Sequence, residues 1–217
     1  MNRIRFQRAR RMFLAALLFY CCGGTVIGTV ASGGSGDPAD QEAPAGMDEA
    51  TIKKMMDLAT PGEHHKRLDR YAGSWNTTVK MWMGDGEPTI ATGSVIYSWL
   101  LGGRYLQSRH TGQFAGMPFE GVGIDGYDNA QRRYFSIWLD NMGTGVMTLT
   151  GQPSADGEGI DYWGTTFDAT TMKEVKVREE VRWVDDKKYT FTMFMEMPGP
   201  DGKMQEARVM EITAVRQ

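Results

Sequence analysis

Lys173-Glu174-Val175-Lys176-Val177-Arg178-Glu179-Glu180-Val181-Arg182-Trp183 sets charged side chains against apolar ones almost residue by residue. A period of two puts successive side chains on opposite faces of an extended chain, so this stretch reads as a half-buried β-strand. Downstream, the pattern returns over Lys188–Met197 and Met204–Val215. Upstream it recurs over Ser74–Met83, Thr89–Trp99, Arg104–Phe114, Phe119–Tyr127, Arg133–Leu139, Gly145–Gln152 and Gly159–Phe167. The connections are short and most carry Gly, Asp or Asn, among them Gly84-Asp85-Gly86, Gly102-Gly103, Gly116-Met117-Pro118 and Asp128-Asn129. Such connections favour hairpins over crossovers. Roughly ten strands of about ten residues, joined this way, close into a mainly β, antiparallel up-and-down barrel wide enough to hold a cavity.

Two short helices are expected before the barrel. Ile52, Met55, Met56 and Ala59 fall at i, i+3, i+4 and i+7 and form one apolar stripe. Thr60-Pro61-Gly62-Glu63 reads as a capping box with Thr60 as N-cap, opening a second helix that carries His64, Leu68 and Tyr71 and stops at Gly73.

The N-terminus has a different character. Arg3, Arg5, Arg8, Arg10 and Arg11 precede 19 uncharged residues, Met12 to Val30, and then the small residues Ala31 and Ser32. This is the layout of a secretory signal cleaved after Ala31. Arg10-Arg11-Met12-Phe13-Leu14 resembles a twin-arginine export signal, and an uncleaved N-terminal anchor is the alternative reading of residues 1–31. Residues 32–47, rich in Gly, Ser, Pro, Ala and acids, read as a flexible linker, and 48–217 as the barrel domain. The expected compartment is the periplasm or the exterior, with the membrane touched only through the N-terminal segment.

Beyond residue 36 lie all 27 acids but only 19 of the 24 basic residues, a net charge of about −8 for the exported part. An acidic surface argues against nucleic acid and anionic membranes as partners. Both cysteines, Cys21 and Cys22, are in the leader, so the exported part has no disulfide. A monomer or a homodimer is expected.

Gly73-Ser74-Trp75 and, at the other end, Arg216 resemble the calycin superfamily of lipocalins and fatty-acid-binding proteins, in which a Gly-x-Trp at the closed end of the barrel packs on a basic side chain from the chain's end. Longer stretches are similar to the bacterial family known as domain of unknown function 1579: Ala59-Thr60-Pro61-Gly62, Leu100-Leu101-Gly102-Gly103-Arg104-Tyr105-Leu106, Gly116-Met117-Pro118-Phe119-Glu120-Gly121, Gly126-Tyr127-Asp128-Asn129 and Trp138-Leu139-Asp140-Asn141-Met142-Gly143-Thr144-Gly145. The resemblance runs from about Met55 to Ala214 and implies a lipocalin-like barrel without assigning an activity. Trp75, Arg216 and His65 take structural roles under it, His65 as a helix-to-barrel contact.

No nucleophile elbow, phosphate-binding glycine loop or zinc spacing occurs, and the sequence requires no cofactor. The acids Asp125, Asp128, Asp140, Asp161 and Asp168 mostly sit beside Gly or in turns, and nothing in their spacing pairs two of them. The expected function is to hold a small apolar or amphipathic molecule, with Tyr97, Trp99, His110, Tyr127, Trp138, Asp140, Asn141 and Trp163 as candidate ligand-binding residues. Trp82 is a further aromatic for the rim. His110, in mid-strand, also supports a haem-binding reading, although Asn76, Thr77 and Thr78 follow Trp75 where haem barrels of the nitrobindin type carry Gly-x-Gly. A small-molecule-converting enzyme using His110 or the Asp140 loop is a further alternative, and a packed structural module of the envelope another. Met193, Met195 and Met197 on one strand, and Met81 and Met83 on another, alternate onto one face each. Their thioethers suit copper(I) or an adaptable apolar lining.

Overall fold

The computed structural model describes residues 47–84, 86–168, 171–199 and 202–217, so the segment read as an export signal and nearly all of that read as a linker lie outside the described residues. Ten strands form a closed ring, each antiparallel to its chain neighbours: β1 (Gly73–Met81), β2 (Thr89–Leu100), β3 (Tyr105–Phe114), β4 (Met117–Asp128), β5 (Arg133–Asp140), β6 (Met147–Pro153), β7 (Gly159–Asp168), β8 (Lys173–Asp185), β9 (Lys188–Pro198) and β10 (Met204–Arg216). β1 closes on β10 from Trp75 opposite Arg216 to Met81 opposite Met210. Closure leaves no sheet edge with unpaired backbone groups.

The period of two decides which side chains face inward. Trp75, Thr77 and Met81 of β1 are buried, as are Leu106 and Ser108 of β3 and Val175, Val177, Glu179, Val181 and Trp183 of β8. Outward neighbours on β8 form ion pairs, Lys176 to Glu196 and Arg178 to both Glu180 and Glu206.

One end of the barrel is plugged. Helix α2 (Glu63–Arg67) runs into a 3-10 turn, Leu68–Tyr71, which drops Leu68 and Tyr71 into the base. The indole of fully buried Trp75 donates to the Tyr71 carbonyl at 2.7 Å. Arg216 lies with its guanidinium 4.2 Å from the Trp75 ring and donates to the carbonyls of Ala72 (2.8 Å) and Arg70 (2.7 Å). One side chain thus ties the last strand, the first strand and the plug together. Gly73 makes room for it, with φ +115 and an Arg216 nitrogen 3.0 Å from where a Cβ would stand.

The helices depart from the expected pattern in one respect. Thr60 is not an N-cap; it ends helix α1 (Glu49–Ala59), its hydroxyl donating to the Met56 carbonyl at 2.7 Å. Gly62 caps α2 instead, and the ring Nδ1 of His65 accepts from the Gly62 amide at 3.1 Å in place of a glutamate. A neutral imidazole nitrogen supplies the same acceptor as the carboxylate of a capping box. No residue of α1 is buried, so its apolar stripe lies mostly in solvent, and Asn129 holds its end by donating to the carbonyls of Leu58 and Thr60. The turn expected at Gly116-Met117-Pro118 sits one step earlier. Ala115 and Gly116 take positive φ, and Met117 and Pro118 are already strand.

Replacing Arg216 by Ala removes the two charge-assisted hydrogen bonds to the plug, a third to the Asp186 carbonyl and a cation–π contact, at a cost of about 2–4 kcal/mol. The urea midpoint of Arg216→Ala should fall accordingly. Arg216→Lys should recover only part of the loss, because an ammonium lacks the planar fork that reaches both carbonyls.

Candidate functional site

Above the plug the barrel encloses a cavity of about 380 Å³. Its lining mixes apolar and polar side chains. Towards the open end stand Phe114, Phe119, Met142 and Met147 with Thr92, Gln113 and Asp140; towards the plug stand Leu68, Tyr71, Tyr97, Tyr162 and Tyr189. Met193 and Met210 lie in register with Glu179, and Asp125, Ser108, Ser136 and His110 complete the wall. No Lys or Arg occurs among the described residues of this lining, and three carboxyls do, on Asp125, Asp140 and Glu179.

Burial governs the electrostatics here. Glu179 is only 5% exposed, and desolvation, with the Asp125 charge adding to it, raises its carboxyl to about 8. Asp125 is pushed up to about 6 by desolvation, against a smaller opposing effect of the Ser136 hydroxyl. Desolvation holds His110 down at about 4, so its ring is neutral near pH 7. The phenols of Tyr71, Tyr97 and Tyr162 are pushed far above their ordinary value, chiefly by burial. The Tyr97 and Tyr189 hydroxyls hydrogen-bond to each other at 2.9 Å.

Four of the expected ligand-binding residues line this cavity: Tyr97, His110, Trp138 and Asp140. His110 meets the Trp138 ring edge-on at 5.0 Å. The Trp138 indole donates to an Asp140 oxygen at 2.8 Å, while the other oxygen accepts from the Met142 amide at 2.9 Å. Asp140 is therefore largely occupied with its own turn.

The other four lie elsewhere. Trp99 donates to Asp69 at 2.7 Å and pins β2 to the plug. Tyr127 stacks under His64, ring centroids 3.9 Å apart. Asn141, just past β5, ties that end to the start of β4, accepting from the Glu120 amide and donating to the Pro118 carbonyl. Trp163 is 45% exposed on the outer face, because its strand phase is that of Asp161 and not of Tyr162. Trp82 sits past the end of β1, under the Arg208 guanidinium at 4.1 Å. His65 is buried edge-on to Tyr127, a contact between helix and barrel. Met81 and Met83 do not share a face, since β1 ends at Met81 and Met83 is exposed. Met193 and Met195 pack against the core, whereas Met197 is exposed.

Sequence reasoning passed over the residues that set the chemistry of the base. Glu179 stands in the apolar phase of β8, between Val177 and Val181, and Asp125 stands mid-strand in the phase of Gly121, Gly123 and Tyr127. A carboxylate in an apolar register was the legible signal. The absence of paired acids expected from spacing is corrected by the barrel, whose closure turns β4 and β8 toward one interior.

The molecule is thus a lipocalin-like closed barrel with an acidic, aromatic base. The family model of a protein of unknown function, DUF1579, matches residues 60–216, and the chain belongs to that family. Among solved structures, the chain is similar to Rv2717c from M. tuberculosis at 18% identity and a TM-score of 0.53, over 73% of this chain and 99% of that one. It is also similar to the S-type phycobiliprotein lyase CPES from Guillardia theta at 10% identity and a TM-score of 0.50, over 72% and 98%. At these identities the likeness is one of fold. No curated protein matches the sequence.

The raised Glu179 carboxyl links stability to pH. The folded state holds this proton more tightly than the unfolded chain, so the stability it contributes is full below the unfolded value of 4.5 and is lost as pH rises through about 8. Asp125 and His110 have largely finished titrating by about 7.5 in both states, which leaves Glu179 as the one of the three still changing between about pH 7.5 and 9. Urea midpoints of the natural chain should fall across that window, and those of Glu179→Gln should stay level. Above pH 8 the variant should be the more stable by a few kcal/mol.

Proposed function

We propose that the protein is an exported carrier that holds one small amphipathic molecule inside the barrel, its apolar body among the mouth side chains and its polar end among the tyrosines and carboxyls. The observation that carries this reading is the enclosed cavity, whose wall of Met, Phe, Tyr and Trp side chains is interrupted by a few buried carboxyls and hydroxyls. Pockets that bind small molecules are mostly apolar with a few convergent polar groups, and their usual range begins near this volume. Methionines at the mouth suit a ligand of variable shape, because the thioether chain adapts to irregular contacts.

Size bears on the class of occupant. At about 30 Å³ per water-sized unit, the space takes roughly a dozen non-hydrogen atoms. A haem macrocycle exceeds that, so His110 is read as a wall residue packed between Tyr97 and Trp138 and not as an axial ligand. Export is supported by the five arginines ahead of an uncharged stretch ending at Val30.

Native mass spectrometry of the protein isolated from the envelope fraction of its own host, with an absorption spectrum, tests the carrier reading directly. A bound mass of about a dozen heavy atoms is expected. In vitro, decanol should perturb the fluorescence of Trp138, and Met147→Trp, which fills the mouth without touching the base, should weaken decanol binding about tenfold or more, a loss of at least ~1.4 kcal/mol. The urea midpoint of that variant should stay close to that of the natural chain. A mouth substitution with no effect on decanol binding would remove the cavity from the function.

A further inference from the structure

We infer that the cavity selects a protonated amine: an amphiphile whose ammonium group is held between Asp125 and Glu179 at the base, with its hydrocarbon toward the methionine-lined mouth. This rests on the carrier reading and names the class of its ligand.

The charge inventory of the interior is the first ground. The lining offers three carboxyls and no Lys or Arg among the described residues. Asp140 is engaged by Trp138 and the Met142 amide. Asp125 has the Ser136 hydroxyl beside it. Glu179 is buried and faces the cavity with no hydrogen-bond or ion-pair partner among the described residues; its cross-strand neighbours are Tyr162 and Met193. A buried carboxyl without a partner costs several kcal/mol, and a cation is what offsets that cost.

The surrounding rings are the second ground. Tyr71, Tyr97, Tyr162 and Tyr189 crowd the same base. Their faces attract a cation and add to the carboxylates. A fatty-acid anion meets the opposite situation, because its headgroup would be pressed against like charges with no interior guanidinium to receive it.

The titratable groups that share the cavity with Asp125 and Glu179 are Tyr71 from the 3-10 turn, Tyr97 on β2, His110 on β3, Asp140 on β5, Tyr162 on β7 and Tyr189 on β9, and of these the four tyrosines interact with Asp125. Thr77 of β1, Met147 of β6 and Ile212 of β10 do not titrate. Arg70 lies outside, over the Trp183 ring at 4.5 Å. Bringing in an ammonium therefore expels the proton that Glu179 holds in the empty barrel, and amine affinity rises with pH until Glu179 ionises unaided.

Three probes with one ten-carbon chain, decylamine, decanol and decanoate, test this by titration calorimetry on the natural chain at pH 6.5 and 8.5. Decylamine should bind at least tenfold tighter than decanol at pH 8.5 and by a smaller margin at pH 6.5, with decanoate the weakest throughout. Glu179→Gln should keep decanol binding and lose most of the amine preference. Decanol or decanoate binding as tightly as decylamine at pH 8.5 would overturn the amine assignment while leaving the carrier reading intact. Failure of all three probes to bind would overturn the carrier reading, and the amine assignment with it.

Discussion

The pairing of β1 with β10, clamped from below by Arg216, is the constraint on which the rest depends. Ring closure satisfies the backbone of both terminal strands at once. Because Trp75 and Arg216 are register partners, the same pairing that closes the wall also builds the floor. With the floor in place, Leu68, Tyr71 and Trp183 pack together and seal the base.

That seal gives the interior carboxyls their character. On an open sheet Asp125 and Glu179 would be ordinary solvated acids. Within the barrel they are desolvated, and the Asp125 charge adds to the desolvation that disfavours ionisation of Glu179. His110, buried in the same interior, is driven the opposite way and stays neutral. Burial thus disfavours charge of either sign on a group left unpaired, and no Lys or Arg among the described residues lines the interior.

Strand boundaries were legible from turn residues and the period of two, and they agree with the structure to within a residue or two for nearly all ten strands. The base motif was legible through resemblance, since Gly73, Trp75 and Arg216 match the Gly-x-Trp and terminal basic residue of the calycins. Inside against outside was harder. Trp163 and Tyr162 are adjacent aromatics, and only the cross-strand register shows that Tyr162 faces in and Trp163 out. The cap at Gly62 was missed because a histidine in place of glutamate at the third helical position leaves no familiar capping pattern.

The sequence by itself determined the extended strands, the hairpin order and the acidic balance, because these rest on local periodicity, turn chemistry and composition. Which acids would share one desolvated space was decided by the tertiary structure alone. Asp125 and Glu179 are 54 residues apart on β4 and β8, strands that are not neighbours in the ring, and only closure of that ring turns both inward over the same floor. Their perturbed ionisation arises from that shared burial, which no reading of either strand alone contains.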